Sequence, residues 1–127
     1  MSVNNISSTV RSAMCDAFVD ALDSGAGTAH IRVYTASYVT LLAEFDFPNP
    51  AFGAAAAGVA TANTIVDEGS APATGTAAVY RAVDRDGNTH HEGTVSTSGA
   101  DINFNTVSIN TGDPLSITSL TATQPAA

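Results

Sequence analysis

Between Ser7 and Asp23 the apolar positions follow a helical period. Val10, Ala13, Met14, Ala17, Phe18, Ala21 and Leu22 recur at i, i+3, i+4 and i+7, which draws one apolar stripe. Ser7 or Ser8 can cap the start, and "DSGAG" after Leu22 supplies a glycine to end it. The pattern predicts a helix over about 7–23, with Phe18 buried in one layer with Val10, Met14 and Leu22. Arg11, Asp16 and Asp20 fall off the stripe. Cys15 sits at its border and reads as a small packing residue.

After Gly27 the period changes to two. "HIRVYTA" sets Ile31 and Val33 against Arg32 and Tyr34, and "TLLAEFDF" sets Leu41, Ala43, Phe45 and Phe47 against Glu44 and Asp46. "PNPAFGAAAAG" breaks the alternation. Its prolines forbid a central strand, and its flanking glycines favour a closely packed loop over a helix. Strand-like runs resume at "VATANTIV", "TAAVYRAV", "THHEGTVS", "DINFN", "TVSIN" and "LSITSLTAT", punctuated by "DEGSAPATG", "DRDG", "TSGA" and "NTGDP". Short strands with turn signals between them predict a mainly β chain. The expected fold is an antiparallel β-sandwich or jelly-roll-like fold with one N-terminal α-helix and strands from about 30 to 124. In "DINFNTVSIN" the apolar parity slips near Asn105, which signals a bulge or a strand changing sheets. With 127 residues and no long linker, the expectation is a single domain, 1–127.

Composition narrows the partners. Twelve acids and four arginines give a net charge of −8, with no lysine. Such a surface repels phosphate, so nucleic acid is not expected as a partner. Neither a secretory signal nor an apolar run of membrane-spanning length is visible, so no membrane association is expected. The single cysteine excludes a disulfide within the chain.

One stretch concentrates chemistry: "DRDGNTHHEG", Asp84 to Gly93. With Asp86 and Gly87 as the central residues of a type I′ turn, Arg85 faces Asn88, Val83 faces His90 and Arg81 faces Glu92. On the other face Ala82 meets His91, and Tyr80 lies over Gly93. The metal reading is weaker. Asp84, Asp86 and Asn88 resemble the start of a calcium-binding EF-hand loop, but the glycine comes too early and no second helix follows. His90 and His91 are neighbours on a strand, so they point to opposite faces, and His30 is far off in sequence. A structural hairpin is expected, with no metal, cofactor or catalytic residue assigned. No nucleophile elbow, zinc-binding helix motif or phosphate-binding glycine loop is visible.

The order of features carries a resemblance. "SSTVRSAMCDAFVDALDSGAG" precedes "IRVYT" and "LLAEFDFPNPAFGAAAAGVATANTI", then "TGTAAVYRAVDRDGNT" and "GTVSTSGADINFNTVSINTGDPLSITSLT". Nearly the whole chain resembles a family of small tailed-bacteriophage virion proteins, and "FPNPAFGAAAAG" is the most distinctive part. "YTASYVTLL" departs from it, because a longer polar loop is expected there. The resemblance implies a capsid decoration, or cement, protein: non-enzymatic, made in the host cytoplasm and placed on the outer capsid surface. Its implied partner is the major capsid protein, with self-association as a dimer or trimer. Alternatives are a tail or neck component, or a carbohydrate-binding adhesion module. Phe47, Pro48, Pro50 and Phe52 are the expected partner interface, since aromatics in a proline-stiffened loop lose little entropy on docking. The competing reading is that Phe47 and Phe52 cap the core.

Overall fold

The computed structural model describes residues 5–117 and 120–125. Helix α1, Ser8–Asp20, opens on Ser7, whose hydroxyl accepts from the Val10 N–H, and it tightens into a 3-10 turn at Ala21–Asp23. Strands follow: β1 His30–Tyr34, β2 Leu41–Asp46, β3 Val59–Thr61, β4 Gly75–Thr76, β5 Val79–Val83, β6 Thr89–Ser96, β7 Ile102–Asn103, β8 Ser108–Ile109 and β9 Thr121–Thr123. The main sheet runs β2-β1-β5-β6-β7, and the pairs β3-β9 and β4-β8 form two smaller pieces. The fold is therefore mainly β, curled and sandwich-like, with one N-terminal helix.

Every neighbouring pair is antiparallel except β6 and β7, which run parallel with Val95 beside Ile102. The parity slip near Asn105 marks a change of sheet: β7 completes the large sheet, whereas β8 pairs with β4. The expected strand "LSITSLTAT" is reduced to Thr121–Thr123 and a single bridge from Leu115 to Glu68; its residues 118–119 lie outside the described residues.

One face of the main sheet is apolar. Ile31 lies opposite both Phe45 and Ala82, and Val33 lies opposite Ala43 and Tyr80. These side chains join Val95, Ile102, Ile109 and Ile117 in one buried cluster. The other face carries a row of charges across four strands, Glu44–Arg32–Arg81–Glu92. Arg32 and Arg81 face each other, and each is neutralised by its own acid at 2.8 and 2.9 Å. Leu42 is also buried, although its parity predicts exposure. A register shift between Val33 and Tyr34 and the approach of Gly75 on β4 enclose it.

The helix presents the opposite face from the one its stripe predicts. Cys15, Val19 and Leu22 are buried, while Val10, Met14 and Phe18 are 50%, 40% and 47% exposed. Of the expected layer only Leu22 is in the core. The reason is polar. Ser12 Oγ accepts from the Gly58 N–H, Asp16 Oδ1 from the Ala55 N–H and Asp23 Oδ1 from the Ala51 N–H. Residues 12, 15, 16, 19, 22 and 23 share one helical face, so these three acceptors turn inward together with Cys15, Val19 and Leu22. They satisfy donors of the loop "AFGAAAAG", which would otherwise be buried without partners. That loop is not helical: Gly53 donates to Thr61, and Ala56 and Val59 exchange backbone hydrogen bonds. Small side chains let α1 approach it closely, and at Gly58 (φ +78°) a Cβ would lie 2.9 Å from the Gln124 carbonyl.

Candidate functional site

The Asp84–Gly93 stretch forms a hairpin whose turn differs from the expected one. Asp84 pairs with Asn88 and Val83 with Thr89, whereas Ala82 pairs with His91 and Arg81 with Glu92. The loop thus holds three residues, Arg85, Asp86 and Gly87, and His90 is an extra residue that restores the predicted register beyond it. Only Gly87 of the three has positive φ, +87°. This is the three-residue hairpin in which a type I turn ends on a left-handed glycine, followed by a bulge. Away from the turn the expected pairs hold: Arg81 Nε donates to Glu92 at 2.9 Å, and Tyr80 covers Gly93 so closely that a Cβ there would lie 2.5 Å from the ring.

Asp84 selects this turn. Its carboxylate is buried and accepts from the N–H groups of Asp86 and Asn88, both at 2.9 Å, and it meets His90 Nε2 at 2.7 Å. The Asn88 N–H foremost, with His90 and the Asp86 N–H, holds its pKa down at about 2. The turn also serves as a plug. Arg85 exchanges backbone hydrogen bonds with Ser24 and Gly27, and its side chain donates to the Gly27 carbonyl at 2.9 Å. A Cβ on Gly25 would strike the Asp86 carboxylate, and one on Gly27 would lie 2.4 Å from the Arg85 carbonyl. "GAG" and "DRDG" are therefore two halves of one clasp.

His90 and His91 point apart, as their adjacency on a strand requires. His91 stacks on Phe18 with ring centroids 4.4 Å apart, and burial, with a contribution from His90, pushes its pKa down. Beside this stack lies a groove of about 280 Å³ bordered by Tyr80, Leu120 and Ala122, with Glu92 and Asp101 at its rim. Together with Val10 and Met14 it leaves an apolar strip along the outer side of α1.

Of the interface expected at Phe47, Pro48, Pro50 and Phe52, the two aromatic anchors are buried. Phe47 and Phe52 are each 4% exposed and pack on one another at 5.7 Å, so they cap the core; Pro50 alone of the four is exposed and Pro48 is partly buried. Three exposed apolar residues, Val10, Met14 and Phe18, line one side of α1 instead, while Val39 and Val66 are exposed singly elsewhere. The helical stripe carries the signal for the three on α1, but periodicity alone does not distinguish a stripe facing the core from one facing outward.

A second polar cluster escaped the sequence reading. His30 lies opposite Asp46 on β2, with Nδ1 and Oδ1 2.7 Å apart, and Glu44 Oε1 lies 3.8 Å from the same nitrogen. Among the described residues this is the only group of three metal-ligating side chains whose donor atoms all lie within 4.8 Å of one another. No spacing rule reveals it, because the three meet only once the β1–β2 register is known.

Comparison with known proteins returns no matching family model, no matching curated protein and no matching solved structure.

Proposed function

We propose that this chain is a non-enzymatic virion structural protein, a capsid decoration protein that binds the assembled major capsid protein and stabilises the shell. The observation that carries the reading is the outward stripe of Val10, Met14 and Phe18 on a helix whose other side is fully engaged. Apolar groups aligned on a rigid element and left 40–50% exposed, with Phe18 stacked on His91 on one side, suit docking onto a partner. The sequence resemblance to phage virion proteins supplies the identity of that partner. Copies associated as a dimer or trimer would engage several lattice sites at once, so one short stripe per copy suffices. Self-association as a dimer or trimer would match a local symmetry axis of the shell.

The adhesion alternative is the weaker one. A sugar platform needs an open aromatic face, but the Arg81 guanidinium lies 4.0 Å from the Tyr38 ring centroid, and Tyr34 meets Tyr38 edge-on. The test is sedimentation of purified protein with particles lacking it. Co-sedimentation at about micromolar concentration, with a gain in the heat resistance of the particles, is expected. Protein that stays in the supernatant, with no gain in particle stability, would replace this reading by a tail, neck or adhesion role.

A further inference from the structure

We infer that His30, Glu44 and Asp46 form a site for a divalent transition-metal ion of the zinc or manganese class. The donor set is one imidazole nitrogen and two carboxylate oxygens, which suits ions of borderline hardness. Donor atoms bound to one such ion lie about 3.0 to 3.4 Å apart in octahedral or tetrahedral geometry, given bonds of about 2.1 Å. The observed separations of 2.7 and 3.8 Å from His30 Nδ1 bracket that range. The three residues stand on the paired strands β1 and β2, where backbone hydrogen bonding fixes their spacing.

The surroundings orient the ligands. Arg32 Nε donates to Glu44 Oε2 at 2.8 Å, which leaves Oε1 as the oxygen turned toward His30. Glu44 would therefore ligate through one oxygen only. The Glu44 N–H donates to Glu68 Oε2 at 2.9 Å, which fixes the backbone under the ligand. The side chains of His30, Glu44 and Asp46 are 18%, 35% and 47% exposed, so an ion held there keeps positions open to water. The Asp84–His90 pair offers a contrast. Its carboxylate is already bonded to two backbone N–H groups, and among the described residues no third His, Cys, Asp or Glu ligand groups with it.

The decisive experiment titrates chelator-treated full-length protein with zinc chloride, and separately with manganese chloride, by calorimetry in a non-coordinating buffer at neutral pH. One equivalent should bind with a dissociation constant of about 10 μM or tighter, a weaker hold than that of structural zinc sites whose ligands close around the ion. His30→Ala and Asp46→Asn should each weaken binding roughly tenfold or more, and His90→Ala should leave it unchanged. Metal should also broaden or shift the His30 ring resonances in NMR spectra while leaving those of His90 and His91 in place. Asp46→Asn keeps the side-chain shape, so it serves if His30→Ala does not fold. Absence of saturable binding below millimolar metal overturns the proposal. So does binding that survives both substitutions, or a shift centred on His90.

Discussion

Truncating α1 and its closing 3-10 turn one side chain at a time separates the inward face from the outward one. Leu22 is 0% exposed. Leu22→Ala removes its buried carbons and leaves a cavity, and such changes reduce stability by about 3 kcal/mol. Phe18 carries a larger side chain, but it is 47% exposed and its principal aromatic contact is His91. Burial of half a phenylalanine contributes about 1 kcal/mol, and the stack adds about 0.5 kcal/mol. Alanine returns about 0.5 kcal/mol as the better helix former. The net loss for Phe18→Ala is about 1 kcal/mol, a third of that for Leu22→Ala. Urea unfolding followed by circular dichroism resolves the difference: with a slope of about 1.5 kcal/mol/M, the midpoints should fall by about 2 M and about 0.7 M. Val10→Ala, at a position 50% exposed, should stay within about 0.5 kcal/mol of the parent. A Phe18→Ala loss equal to or above that of Leu22→Ala would refute the orientation of the helix and restore the inward stripe.

Other outcomes follow from the same structure. Met14→Glu should leave the urea midpoint nearly unchanged yet abolish co-sedimentation with particles; retained binding would move the docking face elsewhere. Gly27→Ala should destabilise, because its Cβ meets a backbone carbonyl rather than a movable side chain; a neutral melting temperature would show that the clasp yields freely. Asp84 has a folded pKa of about 2 against an ordinary value of 3.8, so its contribution to stability is present above about pH 4 and lost as pH falls through about 2. Carbon NMR titration of its carboxyl should give the low midpoint, and a midpoint near 3.8 would contradict the hydrogen-bond network. The His91 pKa is depressed, so its neutral form favours the fold, and that contribution declines as pH falls below the ordinary 6.5. Proton NMR should place its midpoint below that value, and one above it would contradict the burial of the ring.

Much of the secondary structure was legible because it depends on local chemistry. Ser7 announces the helix, and β6 coincides with the run "THHEGTVS". Cross-strand chemistry was legible too: Arg81 with Glu92 and Tyr80 over Gly93 fix the hairpin register. The turn itself was not legible. Aspartate-glycine favours a two-residue loop, but the buried Asp84 carboxylate organises three residues, and His90 absorbs the difference. The helix face was misread for a similar reason. Its inward acceptors bond to N–H groups more than two dozen residues away, at separations of 28, 39 and 46. Hydrophobic periodicity registers where apolar groups lie; it is blind to donors that a distant loop must satisfy. Likewise His30 meets its acidic partners only through strand pairing.

The seat of α1 has a consequence for synthesis. The helix packs against β3 and β9, and the Cys15 thiol donates to the carbonyl of Ala122 across a separation of 107 residues. Within this chain α1 therefore waits for β9. Until Ala122 has emerged from the ribosome, β3 lacks its partner and one side of the helix lacks its full cover, so the nascent chain carries two apolar helix faces instead of one. The contact that seats the helix closes a long loop and forms late for that reason. In that interval the chain exposes more sticky surface than the folded form does, which favours aggregation.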